Sequence, residues 1–594
     1  VLALSLFVGD SGLQVFAAHA STSKPTYQIV ELTLRGEYPD QQAGFSLFGA
    51  KQSYPKLLTF LRRIEQDPQV KAVIVRLSGL QVGMAKALGI SQALARLHKA
   101  GKITYALLET ATTADYIAAL GCEKIAMLPG AMLYMPGVRA EALYFKKFLD
   151  HIGMSGDFIT IGDFKTAPEP FTRNEMSDAQ RQQLGQLVDS LYSSLTNFIR
   201  EHRQISTQKA QRKLSESEVQ KAIDRGLHDP ESAMAMQLID LIIDRLDLRT
   251  LLLKQIPQRP LVVTTAYGKK TRPAPTNIWS LFSMFLQPPK RPPTDKKPKI
   301  AVYYATGQIY YGSPPAGWWE SEPEIWSDRM IKTLDDISKL PDIKAIVLRI
   351  NSPGGSALAS DAIWYKLEQL KQKLPIFVSM GDIAASGGYY IAMGANAIVA
   401  QPTTITGSIG VFGGKLVMRQ TLDKIGINVQ TVARGKNSGI FSPFAAFSVD
   451  ERRIIEEMLQ QIYGMFTQKA AKGRNLPLAQ LLKLASGRVW SGQQAQQNGL
   501  IDQLGGLQDT IDLAIKRTDL KVEPTIVSYP RPRSFFESLQ EISSNTPRQL
   551  PYTPAQALSA ISHLPLAYVH AIKPLLLASN SPLLAWHPLP HIKW

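Results

Sequence analysis

The chain has 594 residues, 45% of them hydrophobic, enough for several packed cores; this excludes a disordered or fibrous polymer. Its net charge of +17 suits an anionic membrane surface. The basic residues are spread along the chain, with no stacking motif or concentrated basic helix, so no nucleic acid partner is expected. Cys122 is the only cysteine, which rules out an intrachain disulfide or a cysteine-based zinc cluster.

In chain order, VLALSLFV (1–8) is too short to cross roughly 30 Å of hydrocarbon by itself. Residues 1–26 read as a trimmed apolar segment, the end of a membrane anchor. AAHA-S at 17–21 resembles a cleavage site, but the polar residues before it argue against a signal peptide. Then come a strand leading to a glycine, YQIVELTLRG (27–36), a helical pattern, PKLLTFLRRIEQ (55–66), and a buried strand in DPQVKAVIVRLSG (67–79). The same plan returns as KIAVYYATG (299–307), DRMIKTLDDISKL (328–340) and LPDIKAIVLRINS (340–352). Repeats of this length are domains, and strands alternating with helices predict parallel βα units with right-handed crossovers.

Three loops differ between the copies. SGLQVG (78–83) stands where the second copy has NSPGGS (351–356), and MLYMPGV (132–138) where it has ITGSIGV (405–411). ALLETATTADYIAA (106–119) aligns with VSMGDIAASGGYYIA (378–392), placing Thr112 opposite Ser386, and Thr113 and Ala114 opposite Gly387 and Gly388. Ser386 follows the apolar strand PIFVSM (375–380) and precedes the helical YYIAMGAN (389–396), a strand-to-helix transition of the kind where open α/β sheets place their sites. A lone serine there is ordinarily a helix N-cap. The joint loss of three glycine- or serine-rich loops in one copy points instead to a site kept in the other.

Each copy then carries a long amphipathic helix opened by a capping box, Ser177 with Gln180 and Ser448 with Glu451. Residues 257–298, rich in proline and basic residues, read as a linker holding one apolar patch, IWSLFSMFL (278–286). The proline-punctuated tail reads as an appended, peripheral segment.

A serine nucleophile needs a base, most often histidine, but no histidine lies between His228 and His563. A lysine is the other candidate. Just before the first capping box, TIGDFKTAPEPF (160–171) aligns through Pro170 and Phe171 with Pro443 and Phe444, which sets Lys165 against Ser438, with Lys436 two positions away. A free lysine, with a pKa of about 10.4, stays protonated at neutral pH, so burial must lower it. Phe164 and Phe171 are compatible with an apolar pocket, and Asp163 and Glu169 are expected to face away from it. TGSIGVFGGK near-misses a phosphate loop, since Leu416 replaces the required Ser or Thr, and no nucleotide, other cofactor or metal is assigned.

NSPGG, GDIAASGGYY, TGSIGVFG and the lysine of GDFKTAPEPF resemble signal peptide peptidase A (protease IV) in its long tandem-repeat form, over roughly residues 27 to 525. The resemblance implies an α/β chain, a tandem duplication of a ClpP/crotonase-like ββα superhelical domain. The first repeat, 27–256, would supply the general base Lys165. The second, 299–525, would supply the nucleophile Ser386, an oxyanion hole from the N–H groups of Gly355 and Gly387, and Ser408 to orient the lysine. Residues 526–594 form the C-terminal extension. The resemblance further implies a homotetramer at the bacterial inner membrane, its catalytic part on the periplasmic or outer side, degrading signal peptide remnants and other hydrophobic peptides. A crotonase-like acyl-CoA enzyme with the same oxyanion hole, or an inactive membrane scaffold, are the alternatives.

Overall fold

The structure, a computed structural model, describes residues 26–41, 52–206, 211–268, 297–314 and 323–531, with the backbone of Leu583–Trp586 and His591–Lys593. The apolar start, the IWSLFSMFL patch and most of the tail lie outside the described residues. No helix among the described residues is long and apolar enough to cross a membrane.

In the first repeat β1 (Tyr27–Gly36), α1 (Tyr54–Gln66), β2 (Val70–Leu80), α2 (Met84–Lys99), β3 (Ile103–Thr112), α3 (Thr113–Ala119) and β4 (Lys124–Tyr134) alternate along the chain. The four strands pair in parallel in the order β4-β3-β2-β1. Their continuous apolar runs are what a sheet covered on both faces requires: Ala72, Val73, Ile74 and Val75 are all fully buried. The chain then leaves this sheet through β5 (Ser155–Ile161) and the long helix α4 (Asp178–His202), whose N-cap Ser177 accepts from the Gln180 N–H. A short strand, β6 (Leu261–Thr264), returns to pair in parallel with β1. The start of the stretch read as linker is thus an edge strand of the first sheet.

The second repeat repeats this order with β7 (Lys299–Thr306), α5 (Ser327–Ser338), β8 (Ile343–Ser352), β9 (Gly354–Ser356), α6 (Ala357–Lys371), β10 (Ile376–Ala385) and α7 (Gly387–Ala392). It continues through β11 (Ile405–Gly407), β12 (Val411–Val417), α8 (Val449–Arg474) and β13 (Thr525–Tyr529). Strands β7, β8 and β10 are parallel neighbours, and β13 pairs with β7 as β6 pairs with β1. Strand β10 runs past the PIFVSM segment to Ala385, because beyond the irregularity opposite β8 its last residues pair with β11. The architecture is the duplicated ββα superhelical α/β fold.

Two features lock the repeats together. One apolar core holds Val73 and Leu88 of the first repeat with Val347, Phe377 and Ile511 of the second. Beside it, Asp382 of β10 accepts from the backbone N–H groups of Ala85 (3.0 Å) and Lys86 (3.3 Å). That carboxylate caps α2, whose own N-cap Gly83 has no side chain to do so. Asp40 lies between Lys86 Nζ (2.9 Å) and Arg349 Nε (3.2 Å). Burial alone would raise the Asp40 pKa; the two cations outweigh it and hold the carboxyl below its ordinary range.

A third sheet joins the repeats directly. β5 and β12 are antiparallel, with Ile161 opposite Val411 and Ser155 opposite Val417. On the other edge of β12 lies β14 (Leu583–Trp586), antiparallel both to β12 and to β9. This overturns the reading of the whole tail as peripheral. A four-residue strand amid prolines has no periodicity to announce it, and its place is set by the two edges that it joins.

Candidate active site

Ser386 sits between β10 and α7 with φ 55° and ψ −116°, a conformation that side chains other than glycine rarely adopt. Its N–H donates to the Gly407 carbonyl of β11 (2.8 Å). Although it is the N-cap residue of α7, its hydroxyl makes no capping hydrogen bond. Thr112, opposite it in the first repeat, has φ −100° and ψ 178° and forms a capping box with Asp115. One position of the plan therefore caps a helix in one copy and leaves its hydroxyl free of capping in the other.

Lys165 comes from the other repeat. After β5 ends at Ile161, the chain turns so that the Lys165 N–H donates to Gly162 O (2.9 Å), and Phe164 N–H donates to Ser486 O (2.8 Å). The Ala485–Arg488 loop closes over this turn. A Cβ on Gly487 would lie 2.6 Å from Lys165 Cα, and Gly487, at φ 80°, leaves that space open. The same loop holds β11 and its exit, through Ser408 N–H to Arg488 O (2.7 Å) and Gly487 N–H to Ile409 O (2.8 Å). The sequence reading missed this loop, for which an ordinary Ser-Gly turn dipeptide is the one signal.

Lys165 is 2% exposed, and Ser386 and Ser408 are fully buried. Lys165 Nζ lies 2.9 Å from Ser386 Oγ, 3.0 Å from Ser408 Oγ and 3.2 Å from Ser408 O. A neutral amine has two protons and one lone pair. With both protons donated to the Ser408 oxygens, the lone pair is left to accept from the Ser386 hydroxyl. Burial lowers the Lys165 pKa from 10.5 to about 7, with desolvation as its cause. The neighbouring carboxylates do not oppose this: Asp163 is exposed, and Glu169 accepts from Ser177 Oγ (2.6 Å) at the start of α4. Phe171 packs instead with Leu149 in a separate cluster, and Phe164 lies against the Arg488 guanidinium.

Gly355 and Gly387 are neighbours in space. A Cβ on Gly387 would lie 2.5 Å from Ser360 Oγ and 3.1 Å from Gly355 N, and one on Gly355 would meet Ile309 O at 2.1 Å. The tight fit explains glycine at both positions and brings the two backbones together next to Ser386. Lys436, the other lysine considered, pairs with Asp450 on the surface. His228 is buried in the first repeat against the Ala222 carbonyl (2.9 Å). Among the described residues no cluster of His, Cys, Asp or Glu is placed to hold a metal ion.

Fold and geometry together give a duplicated ClpP-like chain in which Ser386 of one repeat and Lys165 of the other are in contact. The model of the Clp protease family matches residues 324–406, and that of peptidase family S49 matches residues 95–254 and 368–521, one segment in each repeat. The chain belongs to peptidase family S49 and is a serine peptidase, which sets the acyl-CoA alternative aside. It is 28% identical over 521 residues to the serine protease SPPA, chloroplastic, of Arabidopsis thaliana, covering 87% of this chain and 73% of that protein. It is 29% identical over 486 residues to protease 4 of Salmonella typhi, covering 80% and 75%. Against protease 4 of Haemophilus influenzae the identity is 31% over 462 residues, covering 76% and 71%.

Proposed function

We propose that the chain is an ATP-independent endopeptidase in which Ser386 is the nucleophile and Lys165 the general base. The carrying observation is the 2.9 Å contact between the buried Nζ and Oγ, made by an amine whose pKa is lowered to about 7. Lys165 takes the hydroxyl proton as Oγ attacks the peptide carbonyl, then gives it to the departing amine; water hydrolyses the resulting ester by the same route in reverse. The N–H groups of Gly355 and Gly387 receive the negative charge that develops on the carbonyl oxygen. Ser408 holds the amine in position. The substrates are extended, hydrophobic peptides, signal peptide remnants among them, taken at the periplasmic or outer face of a bacterial inner membrane by a homotetramer. The net charge of +17 supports work at an anionic surface.

The test is hydrolysis of a hydrophobic peptide, together with labelling by a serine-directed fluorophosphonate. The expected result is turnover and a label on Ser386 in the wild type, and no turnover in Ser386→Ala or Lys165→Ala. Undiminished turnover in Lys165→Ala would overturn the assignment of the base.

A further inference from the structure

The segment SGRVWS (486–491) sets an arginine between the turn that covers Lys165 and a short strand, Val489–Ser491, which pairs antiparallel with β11. The pairing fixes the far end of the cover, and Trp490 Nε1–H, donating to Leu484 O (3.0 Å), ties that end back to its start. The Arg488 side chain reaches further. Its Cζ lies 3.8 Å from the centre of the Phe164 ring and 5.4 Å from that of Trp490, and its Nη1 donates to Gln186 Oε1 (3.1 Å) on α4. Phe164 immediately precedes Lys165, and α4 belongs to the same repeat as the lysine. Beside this contact the Val489 N–H donates to the buried Gln183 Oε1 (3.2 Å), also on α4. Among the described residues no carboxylate pairs with Arg488. A guanidinium is flat and weakly hydrated, so it stacks on aromatic rings where an ion pair is not needed.

Resting on the assignment of Lys165 as the general base, we propose that Arg488 is a positioning residue for it: its guanidinium clasps the 485–488 loop to Phe164 and Gln186 and keeps water from the amine. The main chain of the same residue accepts from the N–H of Ser408, so releasing the loop also loosens the group that orients the lysine. The other titratable or charged groups around the loop are Asp163, which is exposed, Glu169, which is held by Ser177, and Tyr463 of α8, whose Oη accepts from the Ser486 N–H (3.3 Å). The lowered pKa of Lys165 has burial as its cause and no neighbouring charge, so it depends on the cover staying shut. An opened cover lets water solvate the ammonium and moves the amine back towards the value of a free lysine.

The experiment measures kcat/KM for a hydrophobic peptide from pH 6 to 9 in wild type, Arg488→Met and Phe164→Leu. Methionine keeps the length of the arginine stem without the guanidinium, and leucine removes the ring while leaving the Arg488 charge in place. In both variants the rising limb is expected to move up by about one pH unit, which lowers the rate at pH 7 about fivefold and leaves the rate at pH 9 near that of wild type. A limb at the wild-type position in both variants overturns the inference and leaves the proposed function standing. So does a loss by the same factor at every pH, which marks a structural role alone. A limb that moves in Arg488→Met but not in Phe164→Leu shows an effect of charge and overturns the clasp. Wild type without a rising limb overturns the assignment of the base, and this inference with it.

Discussion

Replacing Lys165 with methionine separates what burial does for chemistry from what it does to the fold. A shift from 10.5 to about 7 means that the ammonium form is disfavoured inside the protein by roughly 5 kcal/mol, at about 1.36 kcal/mol per unit. The unfolded chain keeps this proton up to its ordinary pKa, whereas the folded chain gives it up near 7. Between these two pH values the unfolded state binds more protons, so stability rises with pH; below the folded pKa the whole cost is present. Methionine has a similar length and no charge to desolvate, and the Ser408 contacts that it forgoes are worth about 1 kcal/mol each. Lys165→Met is therefore expected to be inactive and, at pH 6, more stable than wild type by on the order of 2 to 4 kcal/mol. That advantage should shrink by roughly 2.5 kcal/mol between pH 7 and pH 9. Urea unfolding of both proteins at pH 6, 7, 8 and 9 measures it. A stability difference that does not change with pH would refute a buried amine with a lowered pKa.

Peptide hydrolysis by wild type should rise as pH passes through about 7, because the lysine must be neutral to accept the serine proton; a rate that falls over that range would contradict the proposed base. Gly387→Ala drives a Cβ to within 2.5 Å of Ser360 Oγ and 3.1 Å of Gly355 N, and is expected to lower kcat by about 10²- to 10³-fold with little change in KM, read from steady-state kinetics. Thr112→Ala should leave turnover intact while costing about 1 kcal/mol through loss of the α3 cap, measured by denaturation. Asp382→Ala removes the cap that β10 supplies to α2 and should cost roughly 1 to 2 kcal/mol, most of it recovered in Asp382→Asn, by the same assay.

The elements readable from sequence were those with a strong local pattern. Continuous apolar runs such as AVIVRL and AIVLRI announce strands buried on both faces, and in the structure they are central strands of two parallel sheets. Comparing the two copies singled out Ser386 and Lys165, residues 221 positions apart that the fold brings into contact. Other features depend on long-range contacts and leave little local trace. The cover over Lys165 comes from an ordinary turn at Ser486 and Gly487, and the cap of α2 is lent by Asp382 from the other repeat. The unusual φ of Ser386 is likewise set by its surroundings: Gly387 packed on Gly355, and its N–H bound to Gly407.

The antiparallel ladder between β5 and β12 also has a consequence for biosynthesis. A ribosome releases the segment carrying Lys165 long before the one carrying Ser386, and the turn at Gly487 that covers the lysine emerges later still. Until then the lysine lacks its cover, and a solvated amine stays protonated at neutral pH. A product that stops before Gly487 therefore lacks the loop that buries Lys165 and, with it, the desolvation that lowers the lysine's pKa.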